Sequence, residues 1–283
     1  MSDIFRDVRW QGRVKSSVTH ALLILVSATC LFPLIWMFVS SLKTQQTIFS
    51  DMSLIPAHAH WENFALAWTK GHFGVYFLNS LFYTVSVVGG VLLIASLAAY
   101  AFARLEFPAK KTIYTLFLAT MMIPVPGAFI ALYVLLIKLG LVNTRLGYIL
   151  PQVNGGLPLG IFLLTTFFRK LPKDLEDAAR VDGCNKFQVY YKVALPLAKP
   201  AIAVLTIFTA LGVWNEYLLA MLVLSDQKLM PLQRGFMVFQ GAHITQYPLL
   251  MAAMTISVVP IIAVYILMQR HIISGITSGA LKM

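Results

Sequence analysis

Four of the chain's eleven acids lie within nine residues: Asp174, Glu176, Asp177 and Asp182. A fifth, Glu216, interrupts an otherwise uncharged run in the segment Trp214-Asn215-Glu216-Tyr217. Three histidines, His58, His60 and His72, gather in one stretch, and Asn154 opens a Gly-rich polar turn of sequence. These are the residues whose types could do chemistry. An intramembrane carboxylate is costly and marks a pathway or a buried hydrogen bond. Clustered histidines invite a metal, but no carboxylate–histidine spacing frames these, and their neighbours Trp61 and Trp68 suit a membrane interface. The chain carries no G-x-x-x-x-G-K-[ST] phosphate loop, no G-x-S-x-G elbow and no paired carboxylates within a span. No catalytic residue and no metal site are expected.

The elements that position these residues follow from composition. The chain has 283 residues, is 59% hydrophobic and only 12% charged, with a mean hydropathy of +0.78. Soluble domains carry roughly 25% charged residues. Asp, Glu, Lys and Arg are absent from 16–42, 71–103, 112–137, 146–168 and 235–269, and 200–225 is interrupted only by Glu216. A spanning helix needs about 20 apolar residues. Six spans are therefore expected, at about 18–40, 78–101, 113–137, 148–168, 200–224 and 249–269, in an all-α integral membrane protein of one domain, 1–283.

The net charge of +11 has a topological origin. With the N-terminus inside, sixteen Lys and Arg fall in inside segments and six in outside segments. That asymmetry predicts cytoplasmic N- and C-termini and argues against nucleic acid as a partner. The basic start and first apolar stretch resemble a signal peptide, but the stretch is long and no clear cleavage site follows, so an uncleaved helix is expected. Cys30 and Cys184 fall in a span and a cytoplasmic loop, with no disulfide implied.

Within the spans, Gly89, Gly90, Ala95, Ser96, Ala98 and Ala99 predict close helix packing. Pro124, Pro126 and Gly127 break the third span, and Pro151, Asn154, Gly155, Gly156 and Pro158 predict an irregular fourth. Broken backbone at that depth must be buried or line a wet cavity. Asn154, Asn215 and Glu216 are the candidates for a substrate path.

The loop 169–199 reads as two short helices. Pro172 and the acids Asp174, Glu176 and Asp177 favour a helix start. Leu171, Leu175, Ala178 and Ala179 share one face. Gly183 suits the left-handed position that ends a helix, and Asn185 suits an N-cap for the next. Phe187, Tyr190, Tyr191 and Ala194 form a second apolar stripe. The small-residue face favours docking into a partner's groove over lying on lipid.

This loop resembles the EAA loop of ABC importer permeases. That pattern reads Glu-Ala-Ala, three residues, Gly, nine residues, Ile, one residue, Leu-Pro. Here it reads Asp177-Ala178-Ala179, three residues, Gly183, nine residues, Val193, Ala194, Leu195-Pro196. Asp177 replaces the usual Glu and Val193 the usual Ile. The six spans, the outer loop 41–77, the WNEYLLA segment and the tail SGITSGALKM resemble the carbohydrate-importer branch, nearest the second permease of the maltose type. The resemblance implies the type I ABC importer fold, with a cytoplasmic coupling helix between spans 4 and 5. It implies a bacterial or archaeal inner-membrane permease subunit that forms half of the path for a sugar or related solute.

Its implied partners are a sister permease in a heterodimer, two ATPase subunits that hold ATP and Mg, an extracytoplasmic solute-binding protein, and membrane lipid. The coupling residues implied are Glu176, Asp177, Ala178, Ala179, Asp182, Gly183, Leu195 and Pro196, with no cofactor held in this chain. In maltose-type relatives the C-terminal tail also reaches towards the ATPase pair. From the residues alone, Glu216 and the irregular spans leave a second reading open: a self-sufficient, ion-coupled secondary transporter.

Overall fold

The structure is a computed structural model of the chain. It describes the backbone at 2–122, 125–241 and 244–280, and side chains at 16–70, 72–122, 128–241 and 244–267. In chain order the main helices are α1 (Ser2–Ser41), α2 (Phe73–Arg104), α3 (Lys110–Thr120), α4 (Val125–Lys138) and α5 (Arg145–Lys170). They continue as α6 (Lys173–Val181), α7 (Lys186–Val189), α8 (Lys199–Trp214), α9 (Leu218–Val223) and α10 (Tyr247–Ala280). Among the described residues there is no named strand, only an isolated bridge between Gln240 and Thr245.

Expected spans one, two, four and six are single helices long and apolar enough to cross a membrane. The other two are divided. The third, 113–137, is made of α3 and α4. Of the expected breakers, Pro124 lies outside the described residues, and Pro126 and Gly127 fall in the first turn of α4. The fifth, 200–224, stops at Trp214 and restarts at Leu218. Lys186–Leu197 and Lys199–Trp214 together also pass as one broken span, bent by 74°. The expected irregularity of the fourth span is not found. α5 runs unbroken through Pro151 and Pro158, and its Gly156 and Gly160 serve close packing rather than a turn.

The chain divides into two compact units, Met1–Gly71 with Val238–Val258, and His72–Met237 with Val259–Met283. In the first, α1 runs through Pro33, and its residues Leu22 to Val26 are exposed, as a lipid-facing surface requires. The loop after it is pinned by Lys43, whose buried ammonium donates to the carbonyls of Asp51 and Ser53. Asn63 Nδ2 donates to the carbonyls of Ser41 and Lys43. Gln45 donates to Thr245 O at 2.7 Å and accepts from Tyr247 N at 3.1 Å, tying the loop to the start of α10. His60 Nδ1 lies 2.6 Å from Glu62 Oε1, a bond that holds the Glu62 carboxyl below the usual carboxylate range. Among the described residues no three metal-type side chains come together.

In the second unit α2 is the central element. Tyr76, Tyr83, Val87, Val91, Ala95 and Ala99 recur along its buried face, and α5 and α8 pack on it. The seam with α5 is built from residues that lack side-chain bulk. A Cβ added to Gly156 would meet Val91 Cγ2 at 2.7 Å, and one added to Gly160 would meet Ala95 Cβ at 2.8 Å. Gly156 and Gly160 are one turn apart, as are Val91 and Ala95, so the two backbones approach along matched rows. Without a strong hydrophobic drive between helices in lipid, such close packing is what holds the pair.

Candidate functional site

The segment after α5 folds as the sequence requires. Pro172 precedes α6, in the N-cap position rather than inside the first turn, and Asp174 and Glu176 occupy that turn. Gly183 has φ +86°. Its amide donates to Arg180 O, and the Cys184 amide donates to Ala179 O, both at 3.0 Å. This is a Schellman closure, and it needs the left-handed residue that glycine supplies without strain. Asn185 then caps α7: its Oδ1 accepts from Gln188 N at 2.9 Å, and Gln188 Oε1 accepts from Asn185 N at 2.8 Å. This is a reciprocal capping box.

The α6–α7 knob is fastened to α2 at three residues of α2, Ser96, Tyr100 and Arg104, spaced four apart and so on one face. Arg104 Nε approaches Glu176 Oε1 at 2.6 Å, with side chains 5% and 6% exposed. The approach is an oblique ion pair, not an aligned hydrogen bond. Arg104 Nη2 also donates to Leu171 O at 2.6 Å. Tyr100 OH donates weakly to Glu176 Oε2 at 3.5 Å, and its ring lies 5.3 Å from that of Tyr190. Ser96 Oγ and Tyr190 OH share a hydrogen bond of 2.8 Å. Arg180 Nη2 stands 3.9 Å from Glu176 Oε2.

The expected coupling residues thus split into two sets. Glu176 faces inward, buried in this chain, and is not part of the exposed surface. Asp177, Ala178, Asp182, Gly183 and Pro196 are exposed, and Ala179 and Leu195 are half-buried. Beside them, Leu175 and Val181 are exposed, Val181 at 87%. The second expected stripe is only half buried: Tyr190 and Ala194 are in, while Phe187 and Tyr191 are 66% and 63% exposed. A π-turn at Tyr190–Ala194 shifts the register. The buried row becomes Tyr190, Ala194 and Ala198. Arg104 and Tyr100 are not evident as fastening residues in the sequence, where their four-residue spacing from Ser96 is the signal they leave.

Of the three expected path residues, Glu216 lines a cavity. A groove of about 290 Å³ between α5 and α8 is lined by Gln152, Gly155, Gly156, Leu159, Phe208, Thr209, Gly212, Val213 and Glu216. Asn154 is exposed on α5 and Asn215 donates back to Leu211 O at 2.9 Å; neither lines it. Glu216 sits at the break in the fifth span. Its Oε1 accepts from Leu219 N at 2.7 Å, capping α9. Side-chain capping makes a break in an apolar run tolerable here: it satisfies a backbone N–H that the start of α9 leaves open.

The comparisons with known proteins agree with one another. Residues 90–278 match the family described as binding-protein-dependent transport system inner membrane component. The diacetylchitobiose uptake system permease protein NgcG of Streptomyces coelicolor is 38% identical over 269 residues, 94% of this chain and 89% of that protein. The trehalose/maltose transport system permease protein MalG of Thermococcus litoralis is 35% identical, covering 92% of this chain and 94% of its own. Among solved structures, a chain of a bacterial ABC transporter involved in the import of the acidic polysaccharide alginate superposes with a TM-score of 0.80. It is 26% identical, and the match covers 92% of this chain and 97% of that one.

Proposed function

The chain belongs to the family of binding-protein-dependent transport system inner membrane components, and from that premise we propose which solute it moves and how it is driven. It is the permease subunit of a binding-protein-dependent ABC importer with the type I fold. It is a multi-pass membrane protein that works with a solute-binding protein and an ATPase. It is a transport component, not the ATPase.

The solute we infer is a sugar or oligosaccharide, since the similar permeases are named for diacetylchitobiose, trehalose or maltose, and melibiose, raffinose or stachyose. The chain acts as one permease domain, 1–283, in an inner membrane with both termini cytoplasmic. It pairs with a sister permease, and two ATPase subunits bind the assembly and hold ATP and Mg²⁺. No observation favours the ion-coupled reading. Glu216, its main support, is engaged in capping α9.

The observation that carries the mechanism is the division of α6 into an anchored side and an open side. Glu176 is tied to Arg104, while Asp177, Ala178 and Val181 face outward. The open side docks into a cleft of an ATPase subunit. Closure of the ATPase pair moves α6. Arg104, Tyr100 and Ser96 pass that displacement to α2, and the glycine seam passes it to α5. The groove between α5 and α8 then changes shape around the solute. The test is co-purification of the complex carrying Asp177→Lys. Asp177 is 64% exposed and, among the described residues, its ion pair is with Arg180 at 3.4 Å, so the fold tolerates the change. Loss of the ATPase from an otherwise intact permease is the expected result. Unchanged recovery removes Asp177 from the contact.

A further inference from the structure

A second cavity, of about 380 Å³, opens where α2 ends, α3 begins and α5 ends. It is lined by Lys110, Lys111, Arg169, Tyr114, Phe107 and Glu106, with Ala109 and Thr112. Its charges are unequally used. The Lys110 ammonium donates to Leu105 O at 2.7 Å and to Glu106 Oε1 at 3.0 Å. Lys111 and Arg169 are exposed, and among the described residues neither pairs with a carboxylate. The Arg169 guanidinium lies over the Tyr114 ring at 5.1 Å from its centroid, a stacking that orients it without neutralising it. The cavity therefore keeps two cations that no carboxylate among the described residues pairs with, one of them, Arg169, oriented by Tyr114.

We propose that this cavity binds the phosphate group of an anionic phospholipid headgroup. The proposal rests on the reading of this chain as a membrane permease, but not on its solute or its ATPase contact. Phosphate esters occur on lipids and free in solution, and the surroundings favour the lipid. The cavity sits at the ends of two membrane-spanning helices, α2 closing at Arg104 and α5 at Lys170. Arg104 reaching Leu171 O puts those two ends together. Along α3 from the cationic rim, Ile113 and Leu116 are exposed, Leu116 at 62%. Apolar surface next to a basic pocket offers acyl chains a place beside the headgroup. Tyr114 is an aromatic of the kind that favours the headgroup level. Ala109, which precedes α3, supplies no capping side chain, so the positive end of that helix adds to the field at the cavity. Basic pockets between spanning helices on the cytoplasmic side commonly hold anionic headgroups.

The experiment uses the full chain, purified in mild detergent with whatever subunits it retains. Phosphatidylglycerol and phosphatidylcholine are titrated in parallel, and bound lipid is counted by native mass spectrometry. Preferential retention of phosphatidylglycerol is expected, weakened about fivefold by Lys111→Gln or by Arg169→Gln. Lys111→Arg should restore it, which separates charge from folding. Equal retention in wild type and the glutamine variants overturns the site. Displacement of the lipid by inorganic phosphate at the same concentration overturns the lipid assignment in favour of a soluble phosphate. The same spectra report whether ATPase subunits remain bound, so failure of the docking reading is seen separately.

Discussion

Arg104 at the end of α2 and Glu176 in the first turn of α6 form an ion pair of 2.6 Å, with both side chains almost wholly buried. One residue further on, Asp177 points to solvent. Two neighbouring acids in the same short helix thus face opposite sides of it, one fastening the helix to its own chain and one standing at the surface beside Arg180, 3.4 Å away.

Breaking a buried pair on one side leaves an uncompensated charge, at a cost of about 3–5 kcal/mol, whereas apolar replacement of both partners is often neutral. Glu176→Leu alone or Arg104→Met alone should lower the thermal stability of the permease and uncouple ATP hydrolysis from transport. The double variant should recover stability. A double variant no more stable than either single one would contradict the pairing.

Gly183 has open space where a Cβ would sit, but a φ of +86°. The penalty for a side chain is therefore one of backbone conformation, roughly 1–2 kcal/mol. Gly183→Val should loosen the α6–α7 turn and reduce ATPase co-purification, while Gly183→Asn, which tolerates the left-handed region, should be milder. Equal effects of the two would point to crowding instead.

The α2–α5 seam makes a reciprocal prediction. Gly160→Ala places a methyl 2.8 Å from Ala95 Cβ, and overpacking of this kind costs about 1–3 kcal/mol. Pairing it with Ala95→Gly should return much of the loss, as judged by thermal unfolding in detergent. A double variant with additive losses would show that the two residues do not meet.

Glu216 has two separable properties, an acceptor oxygen and a charge. Glu216→Gln keeps the acceptor for Leu219 N and should preserve assembly. Glu216→Ala removes the cap and should cost about 1 kcal/mol. Transport by the assembled Glu216→Gln complex then reads the charge alone. Normal uptake would leave Glu216 a capping residue and nothing more.

Signals in the sequence are legible where they act locally. The end of α6 at Gly183, the cap at Asn185 and the close packing at Ala95 all follow from a few neighbours. Less is legible where distant groups decide. Glu176 reads like Asp177 because both are acidic and adjacent, and nothing near them shows that Arg104 waits on another helix. The Gly-Pro run of α5 suggested a break because the same residues serve turns and tight seams alike. The halt at Asn215–Tyr217 is hidden by the apolar residues on either side, and the outward turn of Tyr191 by a π-turn that changes the period.

The fastening residues on α2 define more than an attachment. Ser96 and Arg104 are eight residues apart, which along a helix is about 12 Å. A single point of contact would let the α6–α7 knob swivel like a ball in a socket. A row of that length behaves as a keyed shaft: it transmits torque as well as thrust, and when the knob tilts, α2 must turn with it.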